Sequence, residues 1–125
     1  MKTYTECTDT EVLNFLNLYF ATLDVLYQVQ KRYDALSTES ITLWERGKYR
    51  ALSLDTLRDI ELMKHQRRHF MDNQLGIAPP SAEVVAHAKS LCQQLAQANA
   101  IALTGPVMVS MAKLAMDSFV RVVHA

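Results

Sequence analysis

Residues 8–36, TDTEVLNFLNLYFATLDVLYQVQKRYDAL, hold the strongest helical pattern in the chain. Thr8 and Glu11 have the Thr-x-x-Glu spacing of a capping box, in which two side chains satisfy backbone N–H groups at a helix start. After them, apolar residues recur at alternating spacings of three and four, which places them on one side of a helix. This seam comprises Val12, Phe15, Tyr19, Thr22, Leu26, Val29, Tyr33 and Leu36. The pattern predicts one long helix over residues 8–36.

The first half of this helix carries a second apolar row, formed by Leu13, Leu16, Phe20 and Leu23. Little of that half is polar enough to face water. A helix that is apolar on two sides is either central in a bundle or covered by another chain. We therefore expect these four residues to be candidates for a partner-binding surface.

Four further helices are predicted from capping and stop signals. Residues 38–51 form a short helix that Gly47 weakens, since glycine costs about 1 kcal/mol relative to alanine in a helix interior. Ser53 is the expected N-cap of a helix over residues 54–75, and Gly76 is its expected stop. Ser81 caps the next helix, and Thr104 or Gly105 caps the last, with Pro106 in its first turn. The apolar seam of the helix capped by Ser81 comprises Val84, Ala88, Leu91, Leu95, Ala98 and Ala102.

The composition places these helices in one globular domain. The chain has 125 residues, half of them apolar, and only three glycines and three prolines. A chain of this length suits a single domain of about 100 to 150 residues. The sequence thus predicts an all-α protein in which residues 1–125 form a single-domain, up-and-down antiparallel bundle of four to five helices.

Charge, cysteine spacing and hydropathy argue against a cysteine metal or redox site, an exported protein and a membrane-spanning protein. Thirteen basic residues balance thirteen acidic ones, although residues 40–69 hold seven bases and four acids. Cys7 and Cys92 match no metal or redox spacing and are expected to be reduced thiols. The sequence shows neither a signal peptide nor an uninterrupted membrane span. These features predict a cytoplasmic protein without a membrane partner.

The densest polar cluster lies in the third predicted helix. Its basic face comprises Arg58, Lys64, His65, Arg67, Arg68 and His69. Glu61, His65 and His69 follow one another at helical spacing, but Arg68 shares their face and would repel a cation. A solvated, salt-bridged face is therefore expected here, and no metal. Binding of nucleic acid to the basic residues is possible but not favoured.

The spacing of Arg58, Asp59 and His65 resembles the Arg, polar residue, His arrangement of the all-helical HEPN ribonucleases. This resemblance implies a histidine acting as general base and an arginine that stabilises the phosphoryl transition state. It covers only these three residues. The alternative interpretation is a surface ion pair of Arg58.

The leading functional prediction is a non-enzymatic protein-interaction module that binds a protein partner and itself, as adaptor, chaperone-like or inhibitor proteins do. Glycine-rich phosphate loops, nucleophile elbows and Cys-x-x-Cys pairs are missing from the sequence, so neither an enzyme nor a cofactor is expected. Met108, Met111 and Met116 of the last helix could add an adaptable binding surface, although core filling is the usual role of methionine.

Overall fold

The computed structural model describes residues 1–97 and 105–124 of the chain. A short 3-10 helix at Tyr4–Glu6 precedes four α-helices: α1 (Asp9–Glu39), α2 (Leu43–Met71), α3 (Ala82–Gln97) and α4 (Gly105–Val123). The all-α class is thus confirmed, with four helices. No strand occurs in the described part of the chain, where Lys2 and Ile77 form one isolated antiparallel bridge.

Helix α1 begins at the predicted capping box. The Thr8 hydroxyl accepts a hydrogen bond from the Glu11 N–H at 3.2 Å, and the Glu11 carboxylate accepts one from the Thr8 N–H at 2.9 Å. The helix ends at Glu39, three residues beyond the predicted end. Six residues of the predicted seam are buried: Phe15, Tyr19, Thr22, Leu26, Val29 and Tyr33.

Helix α2 is one continuous helix, so the prediction of two helices over residues 38–51 and 54–75 is wrong. It begins after Thr42, whose hydroxyl accepts a hydrogen bond from the Glu45 N–H at 3.2 Å. Ser53 is a fully buried interior residue, not an N-cap. Its hydroxyl donates to the Asp34 carboxylate of α1 at 2.6 Å, which gives it a partner outside its own backbone.

Asn73, not Gly76, supplies the left-handed residue that follows α2. Asn73 has φ 59°, and backbone hydrogen bonds of the Schellman type close the helix there. The Asn73 side-chain oxygen also accepts a hydrogen bond from the Thr5 N–H at 2.9 Å. Asparagine tolerates this conformation better than other non-glycine residues, so the helix ends at Met71 and the predicted stop is wrong.

The starts of α3 and α4 follow the sequence pattern. The Ser81 hydroxyl accepts a hydrogen bond from the Val84 N–H at 3.3 Å, as an N-cap does. Pro106 lies in the first turn of α4. The predicted cap Thr104 and the seam residues Ala98 and Ala102 lie outside the described residues.

Helix α1 is the central element and packs against each of the other three helices. Its contacts with α2 run in opposite directions along the two helices, which form an antiparallel hairpin. The pairs are Phe15–Phe70, Tyr19–Arg67, Tyr27–Lys64 and Asp34–Ser53.

Two buried clusters form the core. In the first, the Phe15 ring lies 4.6 Å from the Phe70 ring of α2 and 5.9 Å from the Phe119 ring of α4, between ring centroids. The second joins Val25, Val29, Tyr33, Leu91, Leu95, Met108 and Ala115. Five α1 members of the clusters belong to the predicted seam, whereas Leu18, Ala21 and Val25 lie beside it and were not predicted. Leu13 and Phe20 of α1 remain exposed.

Candidate interaction surfaces

The outward side of α1 carries the second apolar row. The side chains of Leu13 and Phe20 are 57% and 56% exposed, while Leu16 and Leu23 are partly buried and pack against the core. Tyr27 continues the row, so the spacings are three, four, three and four. This is the heptad spacing of a helix-packing seam.

Phe20, in the middle of this row, contacts a neighbouring ring, and Leu13, at its start, adjoins a groove. Phe20 is held by an edge-on contact with the Tyr19 ring, at 5.1 Å between centroids. A shallow groove of about 320 Å³ adjoins the exposed Leu13. The groove is lined by Tyr4, Cys7, Asp9, Val12, Leu13 and Leu16. The row therefore has an uneven surface into which side chains of another helix could pack.

The methionines of α4 lie elsewhere. Met108 is 1% exposed and belongs to the second core cluster, while Met111 and Met116 are partly buried and pack against the core. The three methionines therefore pack into or against the core, and Met108 contributes no exposed surface. Of the seven residues predicted as a partner surface, only Leu13 and Phe20 are largely exposed.

Two of the predicted basic residues cover α1. The ammonium group of Lys64 lies 5.5 Å from the Tyr27 ring centroid, and the Arg67 guanidinium lies 5.1 Å from that of Tyr19. A hydrogen bond with the Tyr27 hydroxyl raises the pKa of Lys64. These two cations therefore have packing partners within the fold.

The remaining basic residues do not converge on one point. Arg58 is exposed and forms an ion pair with Asp55 at 3.5 Å, and the rings of His65 and His69 lie 4.1 Å apart. Arg58 and His65 are separated by about 10 Å along the axis of α2. A single phosphoryl group would reach both only if Arg58 turned away from Asp55.

Within residues 1–97 and 105–124, no group of three His, Cys, Asp or Glu side chains is placed to hold a metal ion. A metal ion at Glu61, His65 and His69 would therefore find no further ligand in another described segment. The two cysteines are free, and burial raises the pKa of the Cys92 thiol to about 11. A thiol of this kind is a poor nucleophile at neutral pH.

A groove between α2 and α4 holds a carboxyl group in a partly apolar setting. The groove is about 250 Å³ in volume and is lined on one side by Asp55 and Asp59 and on the other by Lys113 and Met116. Burial, and secondarily the charge of Asp55, raises the pKa of Asp59. Sequence reasoning considered Asp59 only as the neighbour of Arg58.

The connection between α1 and α2, together with the first two residues of α2, carries the most exposed apolar side chains among the described residues. Ile41, Leu43 and Trp44 are 92%, 84% and 74% exposed. We call residues 41–44 the hairpin tip. Sequence reasoning assigned these residues to a helix and did not predict their exposure. Their exposure follows from the reversal of the chain at residues 40–42, where the other described helices do not cover these side chains.

Basic residues flank the hairpin tip. The Lys48 ammonium lies 5.5 Å from the Trp44 ring centroid, and Arg46 Nε donates a hydrogen bond to the Ser40 carbonyl at 2.6 Å. Arg50 lies on the next turn and is 3.5 Å from Asp34. From Ser40 to Arg50 the chain holds three bases and one acid.

One described helix, α1, is long and apolar enough by length and composition to cross a membrane. Nine of its residues are buried in the structure. The central helix of a bundle has the same composition, because it must be apolar on most sides.

No family model, curated protein or solved structure matches the chain.

Proposed function

We propose that this chain is a non-enzymatic helical protein-interaction module that associates with a second copy of itself through the outward row of α1. The observation that carries the proposal is the exposure of Leu13 and Phe20 within a row of heptad spacing. A helix with an uncovered apolar row is stabilised when another helix packs on that row.

The charge distribution favours a second copy as the partner. Between Leu13 and Tyr27 the only charged residue is Asp24. Two such rows can pack against each other about a two-fold axis, which brings the same residues of both copies together. Because the row itself holds only Asp24, the like charges brought close are those of Asp24 and of Lys64, which lies over Tyr27 at the end of the row.

The exposed area sets the expected strength of association. Full burial of a leucine or phenylalanine side chain contributes about 1.5–3 kcal/mol, so four half-exposed side chains in a dimer contribute about 4 kcal/mol. The partly buried Leu16, Leu23 and Tyr27 add to this gross gain, while the freedom that two copies lose on association opposes it. We expect a weak, concentration-dependent dimer.

Sedimentation equilibrium from about 10 µM to 1 mM tests the proposal, since weak association is detected only at high protein concentration. The double variant Leu13→Glu, Phe20→Glu should be monomeric throughout, because it places charges in the interface. The matched control is Leu54→Glu, Leu62→Glu, which changes two similarly exposed leucines of α2 and should dimerise as the wild type does. A wild-type protein that stays monomeric at the highest concentration would contradict self-association.

We also infer that the four helices follow an up-and-down antiparallel order. Support comes from the antiparallel α1–α2 contacts and from α4, where Phe119 meets Phe15 while Met108 joins the cluster of Val29. Asn14 donates a hydrogen bond to the Pro80 carbonyl at 3.5 Å, which favours a start of α3 near the start of α1. Spin labels at Thr10 and Ser81 should then lie close together, and labels at Thr10 and Gln97 far apart.

The ribonuclease and nucleic-acid hypotheses stay predictions. RNA cleavage that survives the double substitution Arg58→Ala, His65→Ala would remove the catalytic argument. Binding to nucleic acid predicts a strong salt dependence, because neutralised phosphates release counterions. The absence of binding at low salt would eliminate that role for the basic face.

A further inference from the structure

We propose that two copies of the chain pack with their α1 helices antiparallel, with Phe20 on the two-fold axis and Asp9 of each copy bound to Lys31 of the other. This arrangement rests on the proposed self-association through the outward row of α1. It adds to that interface a direction, a register and two charged contacts.

The residues of the row are placed symmetrically about Phe20. Leu13 stands seven positions before Phe20, and Tyr27 stands seven positions after it. Asp9 and Lys31 stand eleven positions before and after it. At 3.6 residues per turn, all five lie within about 40° of one another around the axis of α1. In an antiparallel pair centred on Phe20, Leu13 therefore faces Tyr27 of the other copy, and Asp9 faces Lys31.

Asp9 and Lys31 are available for contacts with another chain. Both are exposed, and within residues 1–97 and 105–124 neither side chain forms a hydrogen bond or an ion pair. Other charged side chains near the two ends of the row have ion-pair partners within the chain, namely Lys64 with Glu61, Glu11 with Lys2 and Asp34 with Arg50. The N-terminal ammonium group offsets the charge of Glu6. A second copy pairs both the acid and the base only if it runs in the opposite direction.

The direction in which the two copies run decides whether like charges meet. A parallel pair would place Asp9, Asp24 and Lys31 each beside its own copy, and every such contact is repulsive. An antiparallel pair places Asp24 opposite Leu16, so the two Asp24 carboxylates lie about 12 Å apart along the axis. This separation exceeds the screening length of about 10 Å in 0.1 M salt. The two Lys64 side chains come to lie at opposite ends of the interface.

Zero-length cross-linking with a carbodiimide tests the charged contact directly, because the reagent joins a carboxylate to an amine that lies against it. At protein concentrations that give dimer, we expect mass spectrometry to detect a peptide in which Asp9 is linked to Lys31. Within one copy these residues are about 33 Å apart along α1, so the link forms only between copies. The variant Leu13→Glu, Phe20→Glu should lose it.

Charge reversal tests the same contact by sedimentation equilibrium at low salt. Lys31→Glu and Asp9→Lys should each lower the association constant about tenfold, because each turns two attractive contacts into repulsive ones. The double variant Asp9→Lys, Lys31→Glu should associate within about twofold of the wild type, since it restores both pairs with the charges exchanged.

Matched controls separate the contact from net charge and from folding. Lys113→Glu and Asp117→Lys make the same changes at exposed residues of α4, which packs against the seam side of α1, and should leave association unchanged. Because Asp9 also stabilises the start of α1 as an acid in the first turn, circular dichroism of each variant checks that the helices are intact.

The outcomes distinguish this arrangement from self-association itself. A wild-type protein that stays monomeric would overturn both. A wild-type dimer without the link between Asp9 and Lys31 would overturn the antiparallel register alone. Single reversals without effect are the result expected of a parallel pair, and weakened single variants without recovery in the double variant would show that Asp9 and Lys31 do not meet. Recovery together with the linked peptide supports the antiparallel dimer.

Discussion

Ser53 shows how one buried hydroxyl fixes the register between two helices. It donates to Asp34 at 2.6 Å and accepts a hydrogen bond from Gln30 at 3.2 Å, and Gln30 also donates to Asp34 at 2.7 Å. These three side chains join α1 and α2 in a closed network whose members support one another. A one-residue slip of α2 would break both hydrogen bonds of Ser53.

The substitution Ser53→Ala should lower the free energy of unfolding by about 1–2 kcal/mol, because it removes two hydrogen bonds from a buried site. Urea unfolding followed by circular dichroism measures the change. The control Ser110→Ala, at an exposed position of α4, should stay within about 0.5 kcal/mol of the wild type. Equal stability of the two variants would show that the network contributes nothing.

The Cys92 thiol makes the stability of the fold depend on pH above neutrality. It donates a hydrogen bond to the Ala21 carbonyl at 2.8 Å, and burial raises its pKa to about 11, above the ordinary value of about 8.5. Between these values the unfolded chain loses the thiol proton while the folded chain keeps it. The stabilisation is therefore complete below about pH 8.5 and is lost as the pH rises toward 11.

We expect the free energy of unfolding of the wild type to fall more steeply between pH 8.5 and 11 than that of Cys92→Ala. Urea unfolding of both proteins at matched pH values tests this. The comparison cancels the contribution of the tyrosines, which also titrate in this range. Parallel pH profiles would mean that Cys92 is not the responsible group.

At the scale of the helix, Gly47 is a weak point that α2 tolerates. It lies in the helix interior without a positive φ, and a Cβ atom added there would meet nothing within 4 Å. Gly47→Ala should therefore raise the free energy of unfolding by about 0.5–1 kcal/mol.

Gly76 provides the contrasting case. A Cβ atom at Gly76 would lie 3.2 Å from the Met1 Cβ, so Gly76→Ala should not stabilise the protein. Thermal unfolding of both variants under one set of conditions makes the comparison. A gain in stability at Gly76 equal to that at Gly47 would contradict the steric explanation.

Two helix starts that depend on a local interaction were predicted from sequence, whereas the local cap of α2, formed by Thr42 and the Glu45 N–H, was missed. The start of α1 at Thr8 and that of α3 at Ser81 depend on side chains three residues from their partners. Ser53 misled the prediction, because its partner Asp34 lies 19 positions away on another helix. Asn73 was missed because its contact with Thr5 is invisible in a local pattern.

The contrast between local and long-range interactions also applies to the candidate surfaces of the whole molecule. The sequence indicated that the first half of α1 is apolar on two sides, and it placed Leu13 and Phe20 in a second row apart from the seam. It could not reveal that Met108 is buried while Ile41 and Trp44 are exposed, since coverage by distant helices decides this. Exposure is a property of the assembled bundle.

Two phenylalanines of α1 separate folding from association. Phe15 is fully buried between α2 and α4, so Phe15→Ala should cost about 3–5 kcal/mol of stability. Phe20 is more than half exposed, so Phe20→Ala should cost about 1 kcal/mol or less in the monomer while weakening the dimer. Urea unfolding at low micromolar concentration, together with sedimentation, distinguishes the two effects. A large stability loss for Phe20→Ala would show that its outward face is already covered.

The antiparallel hairpin of α1 and α2 has a consequence for how the chain acquires its structure. The two helices are joined by only residues 40–42, so bringing them together closes a short loop at little entropic cost. Phe119, in contrast, meets Phe15 only after nearly the whole chain has been ordered. Because synthesis proceeds from the N-terminus, the hairpin can pair as it leaves the ribosome, and α4 then completes a half-built interior.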